Sequence, residues 1–158
     1  MANKMRYLRG PVAEAYIAKS GTVAIEEGDM LKLNTSGQIT PASVSGDSTG
    51  LIAVARGASP ATDASGAKVP VNIIMFGSVF EFICGTTTAA LAFGQALKIT
   101  GKQTLSKKTA TNIAVTGTNA VAIVAEGMAA SGSTVKVMFR QTRWAAQINR
   151  RSTGTWGA

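Results

Sequence analysis

Hydrophobic and polar residues alternate along much of this chain with the two-residue period of β-strands, most densely over residues 69–82. Val69, Val71 and Ile73 alternate with Pro70 and Asn72, the pattern of a strand with one buried face. Gly77-Ser78 interrupts the run, and residues 79–82 resume it as a second strand or as a continuation past a bulge. On the N-terminal side, residues 22–25 are predicted as a short strand and residues 26–29 as its turn. Residues 30–34 and 39–42 then form a hairpin around residues 35–38, with Leu31 and Leu33 on one face. A polar loop over 43–50 leads to a fully buried strand at 51–55 and a second loop at 57–66.

On the C-terminal side, residues 84–90 read as a linker or as the first turn of a short helix over 88–93. Strands follow at 97–100, around Ile113 and Val115, at 121–125 and at 134–139. Three blocks recur in the same order. Gly28-Asp-Met-Leu-Lys-Leu33 has its counterpart in Gly94-Gln-Ala-Leu-Lys-Ile99, Leu51–Gly57 in Val121–Gly127, and Gly66–Val71 in Gly132–Val137. Fixed-order recurrence marks structural units. The expected fold is mainly β: a small β-barrel or sandwich, β-tulip-like, of short antiparallel strands with an internal duplication. The β domain is placed at 21–139, with halves of about 21–76 and 77–139, and residues 69–82 end one half and lead into the other.

Two arms flank this domain. Residues 1–20 are expected as an extended N-terminal arm, although residues 12–19 would also suit a short helix. Residues 140–158 hold both tryptophans, and residues 143–150 place Trp144 and Ile148 four apart, on one face of a possible helix. Trp and Arg are enriched among residues that anchor interfaces. The tail is therefore read as an arm that docks on another chain, the alternative being that it packs on its own domain.

Composition narrows the chemistry. The 158 residues include no His and a single Cys, Cys84, which removes the commonest general base, a Cys-rich zinc site and any internal disulfide. Glu26, Glu27 and Asp29 cluster beside a turn glycine and are expected as a solvated turn rather than an acid–base pair. No Gly-Lys-Ser/Thr phosphate loop is present, since Gly101-Lys102 is followed by Gln. No catalytic residue, metal or cofactor is expected, nor a membrane span, because no apolar run approaches ~20 residues. The expectation is a binding or structural protein.

Charge is unevenly placed. Of the net +8, none arises in residues 1–81, where seven Lys/Arg balance seven Asp/Glu; residues 82–158 hold nine Lys/Arg against Glu126 alone. Such a segment suits an acidic partner. Binding to single-stranded nucleic acid needs aromatic platforms among the basic residues. Between 82 and 139 only Phe93 is a candidate, so no specific nucleic-acid site is expected.

The ordered blocks carry a resemblance: Glu26-Glu-Gly-Asp-Met-Leu-Lys-Leu-Asn34, Gly50-Leu-Ile-Ala-Val-Ala-Arg-Gly57, Phe76-Gly-Ser-Val-Phe-Glu-Phe82, Phe93-Gly-Gln-Ala-Leu-Lys-Ile99 and Ser133-Thr-Val-Lys-Val137. Over residues 21–139 the chain resembles the small β-rich decoration (cement, head-stabilising) proteins of tailed bacteriophages. The resemblance implies a protein on the outer surface of the virion that binds the major capsid protein of an expanded head. Family members assemble mostly as homotrimers, sometimes as dimers, and clamp capsid subunits against the pressure of packaged DNA. On that reading Tyr7, Leu8 and Tyr16 of the first arm and Trp144, Ile148 and Trp156 of the tail make inter-subunit contacts. Arg140, Arg143, Arg150 and Arg151 meet acidic capsid surface. The alternatives are a basic nucleic-acid-associated β protein and a β module of a phage tail or spike.

Overall fold

The computed structural model describes residues 5–75, 77–83, 91–107, 121–126 and 134–139. Within them the chain is mainly β. Eleven strands are described: β1 (Arg6–Arg9), β2 (Ala13–Ala18), β3 (Met30–Leu33), β4 (Ile39–Pro41), β5 (Leu51–Ala55), β6 (Lys68–Ile73), β7 (Val79–Ile83), β8 (Ala96–Gly101), β9 (Thr104–Lys107), β10 (Ala122–Glu126) and β11 (Thr134–Phe139). They form two antiparallel sheets, ordered β2-β6-β5-β3-β4 and β1-β7-β11-β10-β8-β9. The arrangement is sandwich-like, and neither sheet closes into a barrel. The five-stranded sheet does curl far enough for a single bridge, Lys19 to Ile39, to join its two edges.

The two sheets repeat one design. Replacing β2, β6, β5, β3 and β4 by β7, β11, β10, β8 and β9 converts the first order into the second, with β1 added beside β7. The registers agree residue by residue. Leu31 faces Pro41 and Leu33 faces Ile39, as Leu97 faces Lys107 and Ile99 faces Leu105. Ala53 faces Ile73 and Ala55 faces Val71, as Ala122 faces Phe139 and Val124 faces Val137.

The turn before β3 repeats before its counterpart β8 as well. Gly28 donates its amide to Ala55 O at 2.8 Å and Gly94 to Val124 O at 2.8 Å. Both glycines have positive φ, 91° and 78°, a region that side chains with a Cβ seldom enter. Two of the three sequence blocks are thus paired as expected. The remaining block, Leu51–Gly57, is off by one: Ala55 corresponds to Val124, not Ala125, as the Gly28 and Gly94 amides show.

Other expectations change. Residues 6–9 and 13–18 are not an arm; β1 and β2 pair along their lengths with β7 and β6, so the first repeat begins at Ala13 and not at residue 21. The alternation of Ala15 and Ile17 with outward Glu14 and Tyr16 is a strand's, and its apolar side joins the first core. Residues 22–25 form no strand, only a bridge from Ile25 to Ser59. Residues 45–50, expected as loop, form a 3-10 turn. Leu91–Phe93 is bridge and turn, not helix. Cys84, the strand around Ile113 and Val115, and the whole tail lie outside the described residues.

Two cores result. One lies inside the first sheet, with Leu31, Ile39, Ala53, Val69, Val71 and Ile73. The other lies inside the second sheet, with Phe80, Leu97, Leu105, Val124, Val137 and Phe139. Phe80 is fully buried and meets Phe139 edge-on at 5.4 Å and Tyr7 at 5.8 Å. Burying a side chain of that size stabilises by about 1.5–3 kcal/mol, and the edge-to-face pairs add to it.

Candidate partner-binding surface

Alternation along each strand leaves one face of each sheet outside its own core. On the second sheet, this face carries a row of alternating charge across four strands: Arg6 opposite Glu81, Glu81 opposite Lys136, Lys136 opposite Glu126. Arg6 bonds Glu81, and Glu126 accepts from Lys136 at 2.7 Å and from Arg9 at 3.3 Å. The Lys136 hydrogen bond holds the Glu126 carboxyl below its ordinary range, with Arg9 adding to the effect. These charges satisfy one another.

The matching row of the first sheet is built differently. Tyr16 faces Pro70 where Glu81 faces Lys136. Tyr16 is 66% exposed, and the Arg56 guanidinium carbon sits 5.9 Å from its ring centroid. Arg56 also reaches Glu14 at 3.8 Å. Gly57 lets the Pro70 ring close in, since a Cβ there would meet Pro70 Cγ at 2.7 Å. The product is an exposed aromatic beside an Arg, on a strand whose outer edge has, among the described residues, only the bridge at Lys19. An open strand edge with a nearby aromatic anchor is suited to adding a partner's strand.

Of the sequence-predicted contact residues, Tyr16 alone of the first three stands well exposed. Tyr7 is half-buried, donates to Gly10 O at 2.5 Å and packs on Phe80 within the chain's own core. Leu8 is half-buried on β1. Arg140, Arg143, Trp144, Ile148, Arg150, Arg151 and Trp156 lie outside the described residues. Arg56 was missed by sequence reasoning; it sits at the end of a buried strand, and only the fold brings it to Tyr16.

The acidic turn is not wholly solvated. Glu26 and Glu27 are exposed, but Asp29 is fully buried. It accepts from the Glu26 amide at 2.9 Å and from Gln103 Nε2 at 2.9 Å. Its role is to tie the two repeats together. Lys19 is buried too, donating to Pro60 O at 2.6 Å and Val23 O at 3.3 Å. Among the described residues no group of three or more His, Cys, Asp and Glu side chains is placed to hold a metal ion.

Most of the charge surplus lies outside the described residues. Lys4, Lys108, Arg140, Arg143, Arg150 and Arg151 are six of the 16 basic residues and lie outside the described segments, whereas all eight acids lie within them. The described part therefore holds ten basic residues against eight acidic ones. No protein-family model matches the chain, and no curated protein matches it either.

Proposed function

We propose that this chain is a non-enzymatic structural protein that binds the outer surface of an expanded icosahedral phage capsid and cements neighbouring major capsid protein subunits. The observation that carries the reading is the ordered set of blocks by which the sequence resembles phage decoration proteins. Those blocks form the frame of the fold, since the Gly28 and Gly94 turns open matching sheets. The excess of Lys and Arg in residues 82–158 supports an acidic partner surface, which Arg140, Arg143, Arg150 and Arg151 would meet. Tyr16 and Arg56 offer a second, uncharged-plus-cationic contact on an open edge. The protein acts as a homo-oligomer, a trimer before a dimer, and repetition over a shell makes modest contacts collectively strong.

The test sediments the full chain with emptied, expanded phage shells and, separately, with double-stranded DNA, each at two salt concentrations. Saturable co-sedimentation with shells and little DNA retention at physiological salt is expected. DNA retention that falls steeply with salt, without shell binding, would replace this reading by that of a basic nucleic-acid-associated protein.

A further inference from the structure

β2 is bonded along one side and bare along the other. Lys19 donates its amide to Ala67 O at 2.9 Å, toward the β6 side, whereas Ser20 donates to Ile39 O at 2.9 Å, on the opposite side. Backbone groups of successive residues alternate between the two sides of a strand, and the register with β6 is unbroken from Ala13 to Ala18. Glu14 and Tyr16 therefore turn both amide and carbonyl away from β6. Pro70, opposite Tyr16, agrees: its carbonyl accepts from the Arg56 amide at 2.9 Å, on the β5 side. The four outward groups of Glu14 and Tyr16 have no partner among the described residues. Residues 11–14 and Tyr16 are all exposed, and the Lys19 to Ile39 bridge ends the open stretch.

The second sheet fills the same place. Ala15 faces Val71 as Phe80 faces Val137, so Glu14, Ala15 and Tyr16 correspond to Val79, Phe80 and Glu81. β1 pairs with those three residues of β7. β2 has no such cover, and it carries none of the usual devices against further pairing. Its register holds no bulge, it contains no proline, and its inward side carries only Ala13, Ala15 and Ile17.

We infer that β2 of a second copy of this chain pairs antiparallel with β2, about a two-fold axis at Ala15. One register satisfies every bare group: Glu14 opposite Tyr16 of the partner subunit exchanges two hydrogen bonds, and the symmetry-related pair exchanges two more. Sliding to Tyr16 against Tyr16 of the partner subunit would set Glu14 against Ala18, beside the bridge. Sliding the other way would set two Glu14 carboxylates opposite each other, which is destabilising. Side chains favour the same register. The Glu14 side chain is 61% exposed and only 3.8 Å from Arg56, whose guanidinium sits over Tyr16. In the pair, each Glu14 lies beside Tyr16 of the partner subunit and gains the cation seated on it, while the small Ala15 side chains meet at the axis. The interface is isologous and compatible with a three-fold contact elsewhere on the chain. It sets both Tyr16 and Arg56 pairs on one outer face, where the partner contact proposed above is doubled. The inference does not rest on capsid binding, and shell binding is not its readout.

The experiment compares the full chain with Tyr16→Pro and Tyr16→Ala in sedimentation velocity over a range of concentrations. Tyr16→Pro removes an outward amide and no bond to β6, so it should keep the parent's far-ultraviolet spectrum. Its self-association should weaken about tenfold or more, two hydrogen bonds being lost from each pair. Tyr16→Ala keeps the amide and should lose less. Separately, Ala15→Cys and Ala13→Cys proteins are oxidised, with the parent as the control for Cys84; this arm needs no proline variant to fold. In the inferred register the two Ala15 Cα atoms stand about 4.5 Å apart, within disulfide reach, whereas Ala13 lies opposite Ile17 of the partner subunit. Ready cross-linking of Ala15→Cys and little of Ala13→Cys is expected. A parent that stays monomeric at every concentration, association as strong in Tyr16→Pro as in the parent, or equal cross-linking of the two cysteine variants would each overturn the inference.

Discussion

A Cβ placed on Gly10 would lie 2.4 Å from the carbonyl oxygen of Gly77. Gly10 follows β1 and Gly77 precedes β7, and these are the two links by which the chain passes between sheets. Ser78 Oγ donates to Pro11 O at 2.6 Å and accepts from the Met75 amide at 3.0 Å, pinning the links together. Gly10 also has φ 98°. Gly10→Ala should therefore cost about 2 kcal/mol or more, from backbone strain and a clash with backbone that no rotamer relieves. Gly21→Ala is the control: φ is 63° with nothing within 4 Å of the added carbon, so roughly 1–2 kcal/mol is expected. Equal losses in urea denaturation would show that the crossing is looser than described.

Lys19 closes the curled end of the first sheet. Its backbone amide bonds Ala67 O at 2.9 Å, and its ammonium bonds Pro60 O and Val23 O. Lys19→Met keeps the apolar stem and removes the donor, leaving two carbonyls to find water. A loss of about 1–3 kcal/mol is expected, read as a shift in denaturation midpoint at constant slope. An unchanged midpoint would mean that solvent reaches those carbonyls freely.

Asp47 caps the 3-10 turn by accepting from the Ser43 amide at 2.8 Å and the Val44 amide at 3.2 Å, and it pairs with Lys32. Burial pushes its carboxyl up, but the Lys32 hydrogen bond and the two amides outweigh this, so its pKa is lowered from the ordinary 3.8. A folded-state pKa below the unfolded one contributes stability that is complete above the unfolded value and lost as pH falls through the folded one. Asp47→Asn should thus melt earlier than the parent at neutral pH, by about 1 kcal/mol. The gap should narrow below pH 3.8; a gap of constant size down to that range would contradict the assignment.

Removal of residues 140–158 takes away four arginines and both tryptophans but no acid. The truncated protein should keep the parent's far-ultraviolet spectrum and lose most of its occupancy on expanded shells. Undiminished occupancy would move the contact to the Tyr16 and Arg56 surface, where Tyr16→Ala and Arg56→Ala then become the decisive variants.

The local alternation of Val69, Val71 and Ile73 determined β6 outright, as the fully apolar Leu51–Ala55 did β5, because burial of one or both faces is written in the period of the residues themselves. The recurring Gly-x-x-Leu-Lys blocks likewise disclosed the repeat, since a positive-φ turn before a strand demands glycine at Gly28 and Gly94. The one-residue error at Ala55 arose because alanine and valine fit either register, and only the hydrogen bonds to Gly28 and Gly94 choose. What the tertiary structure alone decided was pairing between distant segments. Residues 6–18 are basic at their start and broken by Gly10-Pro11, so they read as an arm, and their place in both sheets depends on pairing with β6 and β7. The burial of Asp29 depends on Gln103, 74 residues away, and the meeting of Tyr16 with Arg56 on Pro70 depends on sheet order. Periodicity reports which face of a strand is buried; which strand lies beside it is settled by long-range backbone hydrogen bonds that leave no mark on the local sequence.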